Sequence, residues 1–224
     1  MRFLITAGPT REPIDPVRYI SNRSSGKMGY AIAEAALAAG HDVTLISGPV
    51  NLDRPPGAHF ISISTGDEMH GAVHRHLRDC DMLVMCAAVA DYKPANVSAQ
   101  KIKKRIETLS LELVPTRDIL ASLPKQDRQF LVVGFAAETD DLEENAQRKL
   151  REKNCDVIVA NDVSRADSGM ESDANEVIIF FRNGGKENIS RAPKKNIARA
   201  LVKIFSKFAR KTFDKKNVTI SELD

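Results

Sequence analysis

The sequence predicts an α/β protein: a Rossmann-like, three-layer fold in which helices cover both faces of a parallel sheet. Along most of the 224 residues, short apolar runs alternate with segments of helical periodicity, and this alternation gives parallel strands joined by right-handed crossovers. The run "DMLVMCAAVA" (81–90) is apolar throughout, which is typical of a central strand buried on both faces. Polar segments follow the first strand, and open α/β sheets bind ligands at that edge.

Periodicity predicts the elements of the first two thirds of the chain. The first strand is "RFLITA" (2–7), and the alanine-rich segment "GYAIAEAALAAG" (29–40) is a helix that ends at Gly40. The other elements predicted in this part are strands over 41–47, 59–64, 81–90, 131–138 and 156–162, and helices over 67–79 and 140–154.

The C-terminal part departs from this alternation. An apolar strand, the turn "RNGG" and a second strand predict a β-hairpin over about 175–191. Apolar residues at helical spacing predict a docked helix over 193–211, with its many lysines and arginines on the solvated face. Residues 213–224 are expected to form a loose C-terminal tail, so that a single domain spans 1–212.

A cationic flap is the least regular part of this predicted domain. It covers about residues 92–108, includes the run "KIKK" (101–104), and precedes a short alternating strand, "LSLELV" (109–114). The default interpretation of such lysines is a solvated charge run. Beside a phosphate site, however, a lysine such as Lys101 could close over a polyphosphate.

Composition excludes several classes of protein. Hydrophobic residues make up 42% and charged residues 28% of the chain, and the net charge of +3 gives no reason to expect nucleic-acid or membrane binding. No run approaches the roughly 20 apolar residues of a membrane helix, and the N-terminus lacks the zones of a signal peptide. The three cysteines form no CxxC pair, so we expect reduced thiols in a cytoplasmic protein, with Cys86 a buried apolar residue.

The segment "SSGK" (24–27) predicts an anion site at the start of the first helix. It fails the P-loop pattern, because the first glycine and the final serine or threonine of that pattern are missing, and the chain also lacks GxGxxG. Backbone N–H groups at Ser24, Ser25 and Gly26 would nevertheless point outward at a helix start, with Lys27 adding positive charge. The alternative is that Ser24 or Ser25 merely caps the helix.

Two further residues of the same loop are candidates for substrate contact. Arg18 offers a planar fork that matches phosphate or carboxylate. Asn22 can donate and accept hydrogen bonds without charge, which suits an oxygen whose charge changes during a reaction. Taken singly, such residues are more often surface or turn residues, but their density on one loop at the carboxyl edge of the sheet favours a functional role.

Small residues after the central strand predict close approach of a ligand. Ala87 and Ala88 would let a flat ring or a ribose reach the backbone. Asp91 could hold a ribose hydroxyl or water around a metal ion, the alternative being a turn-forming aspartate. After the next predicted strand, Phe135 could stack on a base or simply fill the core.

Residue pairs at helical spacing give weaker signals. Lys149 and Lys153 are four residues apart and therefore share a helix face, where surface lysines are the default. His70 and His74 have the same spacing, but no HExxH motif is present and no zinc site is expected. The absence of a GxSxG motif disfavours a hydrolase triad.

Four long motifs stand in a fixed order along the chain. They are "ITAGPTREPIDPVRYISNRSSGKMG" (5–29), "AAVADYKP" followed by "KIKK", "VGFAAET" (133–139), and "ANDVS" followed by "SDANEV". Together they resemble phosphopantothenoylcysteine synthetase, a family of coenzyme A biosynthesis, over residues 2 to about 209. In many bacteria this synthetase follows a flavin-dependent decarboxylase in one fused chain. Because this chain begins at the synthetase's first strand, the resemblance implies a stand-alone synthetase or an excised domain.

The resemblance implies a ligase that joins the carboxylate of 4′-phosphopantothenate to the amine of L-cysteine. The bacterial type uses CTP, passes through an acyl-cytidylate and releases CMP and pyrophosphate, whereas the eukaryotic type favours ATP. Both steps gather negative charge, so cationic groups, Mg²⁺ and backbone donors are needed. The contact motifs favour CTP.

The resemblance also implies roles for individual residues. Asn22 would engage the acyl-nucleotide and support its conversion to the amide, Arg18 would lie near the same intermediate, and Lys101 would reach the triphosphate. The implied nucleotide contacts are Ser24, Ser25, Gly26, Lys27, Ala87, Ala88, Asp91, Arg117, Asp118, Ile119, Leu120, Phe135, Lys149 and Lys153. One local departure is "VPTRDIL" (114–120), where the bacterial pattern has Asn-Pro before the aspartate.

Partners and rival functions complete these expectations. The family's homodimers suggest the apolar strand "VIIFF" (177–181) as an interface, and a separate phosphopantothenoylcysteine decarboxylase is a partner that the sequence leaves open. One rival is a nicotinamide-dependent reductase, which the missing GxGxxG disfavours. Another is a non-catalytic nucleotide-binding or interaction module, which would contact nucleic acid through the basic C-terminal helix and release no pyrophosphate.

Overall fold

A computed structural model describes residues 1–104, 108–126, 128–138, 141–162 and 173–221, and for residues 138, 162 and 215–221 it describes the backbone alone. The strands are β1 (Arg2–Ala7), β2 (Arg11–Pro13), β3 (Tyr19–Ser21), β4 (Asp42–Ser47), β5 (His59–Ser62), β6 (Met82–Met85), β7 (Tyr92–Pro94), β8 (Leu113–Pro115), β9 (Leu131–Glu138), β10 (Val157–Asp162), β11 (Ala174–Phe181) and β12 (Lys186–Pro193). The α-helices are α1 (Lys27–Ala38), α2 (Gly66–His76), α3 (Leu142–Glu152) and α4 (Lys194–Ser221).

Eight strands form one sheet in the order β12-β11-β10-β9-β6-β1-β4-β5. The six strands from β10 to β5 in that order are parallel, and the other two are antiparallel. The chain winds outward in both directions from β1, so the order reverses between β1 and β6. Such a switch point leaves a crevice beyond the carboxyl ends of the two strands, where ligands of open α/β sheets bind.

Two apolar cores hold helices against opposite faces of the sheet. Side chains alternate along each strand, so Phe3 of β1 faces the core shared with α1 and α4, and Leu4 faces the core shared with α2 and α3. Phe205 and Met69 are fully buried representatives of the two cores. The predicted three-layer, Rossmann-like fold is confirmed, and burial on both faces explains why the strands lack polar alternation.

Two element predictions were wrong in extent. The central strand covers only Met82–Met85. Beyond it, the Ala87 N–H donates to the Thr6 hydroxyl of β1, and Ala88 and Ala90 bond to the first loop. The expected loose tail is instead a continuation of α4 as far as Ser221. No proline or glycine interrupts residues 194–221, and Phe213 packs against the core at the predicted boundary. Within the described ranges, no helix combines the length and apolar character of a bilayer span.

The predicted C-terminal hairpin is confirmed as the pair β11 and β12. Gly184 makes its turn at φ 86°, a left-handed conformation that suits glycine. The idea that the apolar strand "VIIFF" offers a dimer interface is corrected, because Val177, Ile179, Phe180 and Phe181 are buried within this chain. The surface that the hairpin leaves open belongs to β12, whose residues are mostly exposed.

The flap leaves the sheet after the central strand and returns through a short antiparallel pair, β7 with β8. Of the alternating segment "LSLELV", only its last two residues join a strand, Leu113–Pro115. Residues 101–104, the run "KIKK", lie between these strands without regular secondary structure, and Lys101 is exposed. Residues 105–107 of the predicted flap lie outside the described residues.

Candidate functional site

A cleft of about 410 Å³ opens at the switch point of the sheet. It is bounded by the first loop and the start of α1, by the segment after β6, and by the ends of β9 and β10. The lining residues are Asn22, Ser24, Ser25, Gly26, Lys27, Met28, Gly29, Cys86, Ala87, Ala88, Val89, Asp91, Phe135, Ala137, Lys149, Asn161, Asn175 and Lys194. The cleft thus brings together ten of the seventeen predicted site residues.

Helix α1 begins at the cleft with glycine at its N-cap. Gly26 has φ 74°, and a Cβ placed on it would lie 2.7 Å from Cγ1 of Val50, so the position requires glycine. The suggestion that Ser24 or Ser25 caps the helix is therefore wrong. Glycine offers no side chain to bond the first turn, and backbone donors with the positive end of the helix dipole face the cleft.

The first loop is joined to the segment after β6 by a series of hydrogen bonds. The Ala88 N–H donates to the Gly8 carbonyl (2.9 Å), and the Ala90 N–H donates to the Thr10 hydroxyl (3.0 Å). The Asn22 carboxamide nitrogen donates to the Val89 carbonyl (3.0 Å). These bonds hold the Asn22 carboxamide beside the segment after β6, in the same cleft as Ala87 and Ala88.

Arg18 lies outside the cleft lining and links the first loop to the flap. Its guanidinium bonds the Asp15 carboxylate through Nε (3.0 Å) and Nη2 (2.5 Å), and Nη2 also donates to the Ile102 carbonyl (2.8 Å). The same carboxylate accepts from the N–H groups of Val17 and Ile102 (2.8 and 3.1 Å). Bonding to the guanidinium, with help from these backbone donors, holds the pKa of Asp15 far below its usual range.

We call this arrangement of Asp15, Arg18 and Ile102 the flap latch. Lys101 precedes Ile102, so the latch fixes the backbone beside the lysine that was predicted to reach a triphosphate. Lys101 itself is exposed and does not line the cleft in this conformation.

The predicted contact segment 117–120 lies beside the cleft instead of lining it. Arg117 forms an ion pair with Asp67 (3.5 Å), and the Ile119 side chain is buried in the core with Leu120 packed against the same cluster. Asp118 bonds Lys153, which lowers the pKa of the carboxyl and raises that of the ammonium. Nucleotide contacts by this segment stay predictions, and for Ile119 such a contact would have to come from the backbone.

Three polar residues of the cleft were missed at the sequence level. Asn161 and Asn175 lie at the end of β10 and the start of β11, and Lys194 follows β12 directly. The antiparallel hairpin returns the chain to the carboxyl edge of the parallel strands, since Ala174 pairs with Pro193. The sequence feature that could have pointed to Lys194 is its position directly after the second strand of the predicted hairpin.

Cys86 also lines the cleft, half-buried instead of buried as predicted. Burial raises the pKa of its thiol to about 12, and the nearby Lys194 only partly opposes this effect. A thiol with so high a pKa is a poor nucleophile near neutral pH. The arrangement favours a ligand-binding wall over cysteine chemistry.

A doubly wound sheet with a glycine-capped helix start and a switch-point cleft defines an α/β protein of the Rossmann-like class. Comparison with known families narrows this class. Residues 1–208 match the model described as the DNA/pantothenate metabolism flavoprotein C-terminal domain, and the chain belongs to that family.

Similar proteins agree with this assignment. The chain is 52% identical over 187 residues to the coenzyme A biosynthesis bifunctional protein CoaBC of Vibrio cholerae. This alignment covers 82% of the chain and 47% of that protein. It is 45% identical over 210 residues to CoaBC of Bacillus subtilis, and this alignment covers 93% of the chain and 52% of that protein. The chain thus spans about half the length of the curated relatives it matches.

Solved structures show the same fold. A crystal structure of the C-terminal domain of a CoaBC protein has a TM-score of 0.78 and 40% identity, covering 95% of this chain and 96% of that one. The DNA/pantothenate metabolism flavoprotein of Streptococcus pneumoniae gives a TM-score of 0.78 at 25% identity, covering 93% and 99%.

Proposed function

We propose that the chain is a phosphopantothenate–cysteine ligase, which joins 4′-phosphopantothenate to L-cysteine at the expense of CTP. The observation that carries the proposal is the cleft itself. It sets the Asn22 carboxamide, the start of α1 and the small residues Ala87 and Ala88 around one space, in a chain 52% identical to part of a CoaBC protein.

The first step activates the acid. A carboxylate oxygen of 4′-phosphopantothenate attacks the α-phosphorus of CTP, and the bond from that phosphorus to the bridging oxygen breaks, releasing pyrophosphate and leaving an acyl-cytidylate. Negative charge crowds at the phosphorus. The start of α1 and the Lys27 ammonium supply positive charge there, and glycine at position 26 allows close approach.

The second step forms the amide. The amine of cysteine attacks the acyl carbon, the carbon–oxygen bond to CMP breaks, and the amine proton is lost to solvent. Charge grows on the acyl oxygen in the tetrahedral intermediate. A carboxamide such as Asn22, positioned by its bond to Val89, can follow this change by hydrogen bonding without carrying a charge of its own.

Magnesium suits this site as an ion carried by the nucleotide. Mg²⁺ is usually held by one or two carboxylates together with substrate phosphates. Among the described residues lining the cleft, Asp91 carries the carboxylate, and it is exposed enough to complete such a shell. The ion would neutralise triphosphate charge when bound.

The proposal also covers the partner enzyme, the assembly and the location of the chain. The relatives are bifunctional by name, so we propose that this activity works with a phosphopantothenoylcysteine decarboxylase, in the same chain or a separate one. We further propose a homodimer in the cytoplasm, whose interface uses surface other than the buried side chains of β11.

Pyrophosphate release tests the proposal. The purified chain is given 4′-phosphopantothenate, L-cysteine and Mg²⁺ with either CTP or ATP, and each substrate is omitted in turn. Release that requires phosphopantothenate and prefers CTP is expected. A preference for ATP would still support a ligase but would contradict the predicted contacts with cytidine. No release from folded protein with either nucleotide would contradict the proposal.

A further inference from the structure

Lys194 is a buried lysine in the cleft to which the sequence gives no role. It is the first residue of α4, and only 6% of its surface is exposed. It nonetheless lines the cleft together with Lys27 and Asn175. An ammonium group in the wall of a ligand cleft is a strong hydrogen-bond donor for an anion bound there.

Three described groups from different elements act on the charge of Lys194. Lys27 reaches it from α1, Cys86 from the segment after β6, and Asp173 from the residue before β11. Asp173 is largely exposed and already bonds the Lys27 ammonium, Nζ to Oδ1 at 2.6 Å. Burial first, and then the charge of Lys27, lower the pKa of Lys194.

The geometry is that of a cation placed in advance for an anion. Two lysines from different elements converge on one wall of the cleft, next to the glycine-capped start of α1. An anion bound there would meet two ammonium groups and the positive end of the helix dipole. Lys195, the next residue, differs in every respect, since its side chain is 74% exposed and pairs with Glu34 at 3.6 Å.

We propose that Lys194 is a substrate-binding residue whose ammonium pairs with a phosphate oxygen of the bound nucleotide. The nucleotide as the anion rests on the proposed function. Pairing would favour the charged form of Lys194, so binding would be accompanied by uptake of a proton in the pH range between its pKa in the empty and in the occupied cleft. The affinity for the nucleotide would then fall as the pH rises from the pKa of Lys194 in the empty cleft to its pKa in the occupied cleft.

Other groups near Lys194 bear on this test. The thiol of Cys86 has a pKa of about 12, and the carboxyl of Asp173 has a lowered pKa because it bonds Lys27. Above about pH 8 the nucleotide phosphates are fully ionised, because their last pKa is about 6. Lys27 and Lys149 are the other lysines of the cleft, so the loss of proton uptake in Lys194→Met, and not proton uptake by itself, identifies Lys194.

Calorimetric binding of CTP with Mg²⁺ tests the proposal, measured at several pH values from about 7 to 10, each in two buffers of different ionisation enthalpy. Lys194→Met is expected to weaken CTP binding about 10-fold or more, as for loss of a charged hydrogen bond, and to abolish most of the proton uptake. Lys195→Met, the matched control, should change the Kd by less than about 2-fold. Lys194→Arg should recover part of the affinity.

The outcomes separate this inference from the proposed function. Equal affinity of the wild type and Lys194→Met, or proton uptake that persists in Lys194→Met, would overturn the role of Lys194 alone. Failure of the folded wild type to bind either CTP or ATP would overturn both. Thermal unfolding of each variant detects any loss of the fold. If Lys194→Met does not fold, the CTP affinity and proton uptake of Lys194→Arg are compared with those of the wild type instead.

Discussion

The first loop (8–26) and the flap (92–108) border the same edge of the sheet but are held there differently. Polar groups of the first loop are bonded to rigid neighbours: Glu12 accepts from the N–H of Gly66 at the start of α2 (2.8 Å), and Asn22 bonds Val89. The described part of the flap exposes large apolar side chains, including Tyr92 at 55% and Val97 at 55%.

The difference separates a fixed part of the site from a part suited to move. A catalytic group needs a stable position, whereas a segment that closes over a substrate needs few contacts to break. The flap meets the first loop mainly through polar contacts, the latch at Ile102 and a bond from the Ser98 N–H to the Ile14 carbonyl (3.0 Å). Changes in the first loop should therefore affect chemistry, and changes in the flap should affect closure.

Asn22→Asp should have the largest effect. The new carboxylate cannot donate to Val89 and would repel the charge that develops on the acyl oxygen, so amide formation should fall by about 10²-fold or more, as when an oxyanion donor is lost. The fold should remain intact. Product formation and circular dichroism measure the two effects, and wild-type turnover in this variant would remove the assigned role.

Asp15→Asn should release the flap. The amide cannot accept all the bonds that the carboxylate accepts, so trypsin should cleave at Lys101, Lys103 or Lys104 several-fold faster, and kcat/KM for the nucleotide should fall by about 10-fold. Asp67→Asn is the control, because it removes the more exposed pair with Lys93 at the base of the flap. Equal cleavage rates in all three proteins would argue against a latch.

The latch should also have a defined pH dependence. Asp15 has a lowered pKa in the folded protein, so its contribution is complete above the usual aspartate pKa of about 4 and is lost as the pH falls through the lowered value. Flap cleavage should therefore be independent of pH between about 6 and 8 once corrected for the intrinsic pH dependence of trypsin, as measured on a peptide. A corrected rate that changes in this range would point to another titrating group.

Gly26→Ala should destabilise the fixed part by about 2 kcal/mol, because the residue has φ 74° and its new methyl group would contact Val50. Gly40→Ala is the matched control. Gly40 also has a positive φ, 78°, but a Cβ there would meet nothing within 4 Å, so about 1 kcal/mol is expected. Urea unfolding measures both, and equal losses would mean that Val50 yields without cost.

Leu109→Ser should have the smallest effect. The side chain directly follows the flap and is exposed, so the free energy of unfolding should change by less than about 0.5 kcal/mol. A loss above about 1 kcal/mol in urea unfolding would show that this segment is packed more firmly than its exposure indicates.

Periodicity was enough to predict the sheet and its helices, because burial on one or both faces determines which residues are apolar. It failed where apolar residues serve another purpose. Residues 88–90 have the apolar composition of a strand but bond the first loop, and no local feature of the sequence distinguishes the two arrangements. The short pair β2 and β3 inside the first loop was missed because three-residue strands leave no periodic pattern.

The site was predictable where a loop followed a parallel strand directly. Asn22, Gly26 and Asp91 were predicted in this way, and the structure places them in one cleft. Lys194 was missed because its position depends on a hairpin that returns the chain to the same edge. The latch was missed because it joins residues 84 or more positions apart in sequence.

Isotope transfer tests the central claim most directly. 4′-Phosphopantothenate labelled with ¹⁸O in its carboxylate is converted with CTP, cysteine and Mg²⁺, and the nucleotide product is examined by mass spectrometry. If the carboxylate attacks the α-phosphorus, one labelled oxygen will appear in CMP and none in pyrophosphate. Unlabelled CMP, or label in inorganic phosphate with CDP as the nucleotide product, would contradict an acyl-cytidylate formed in this cleft.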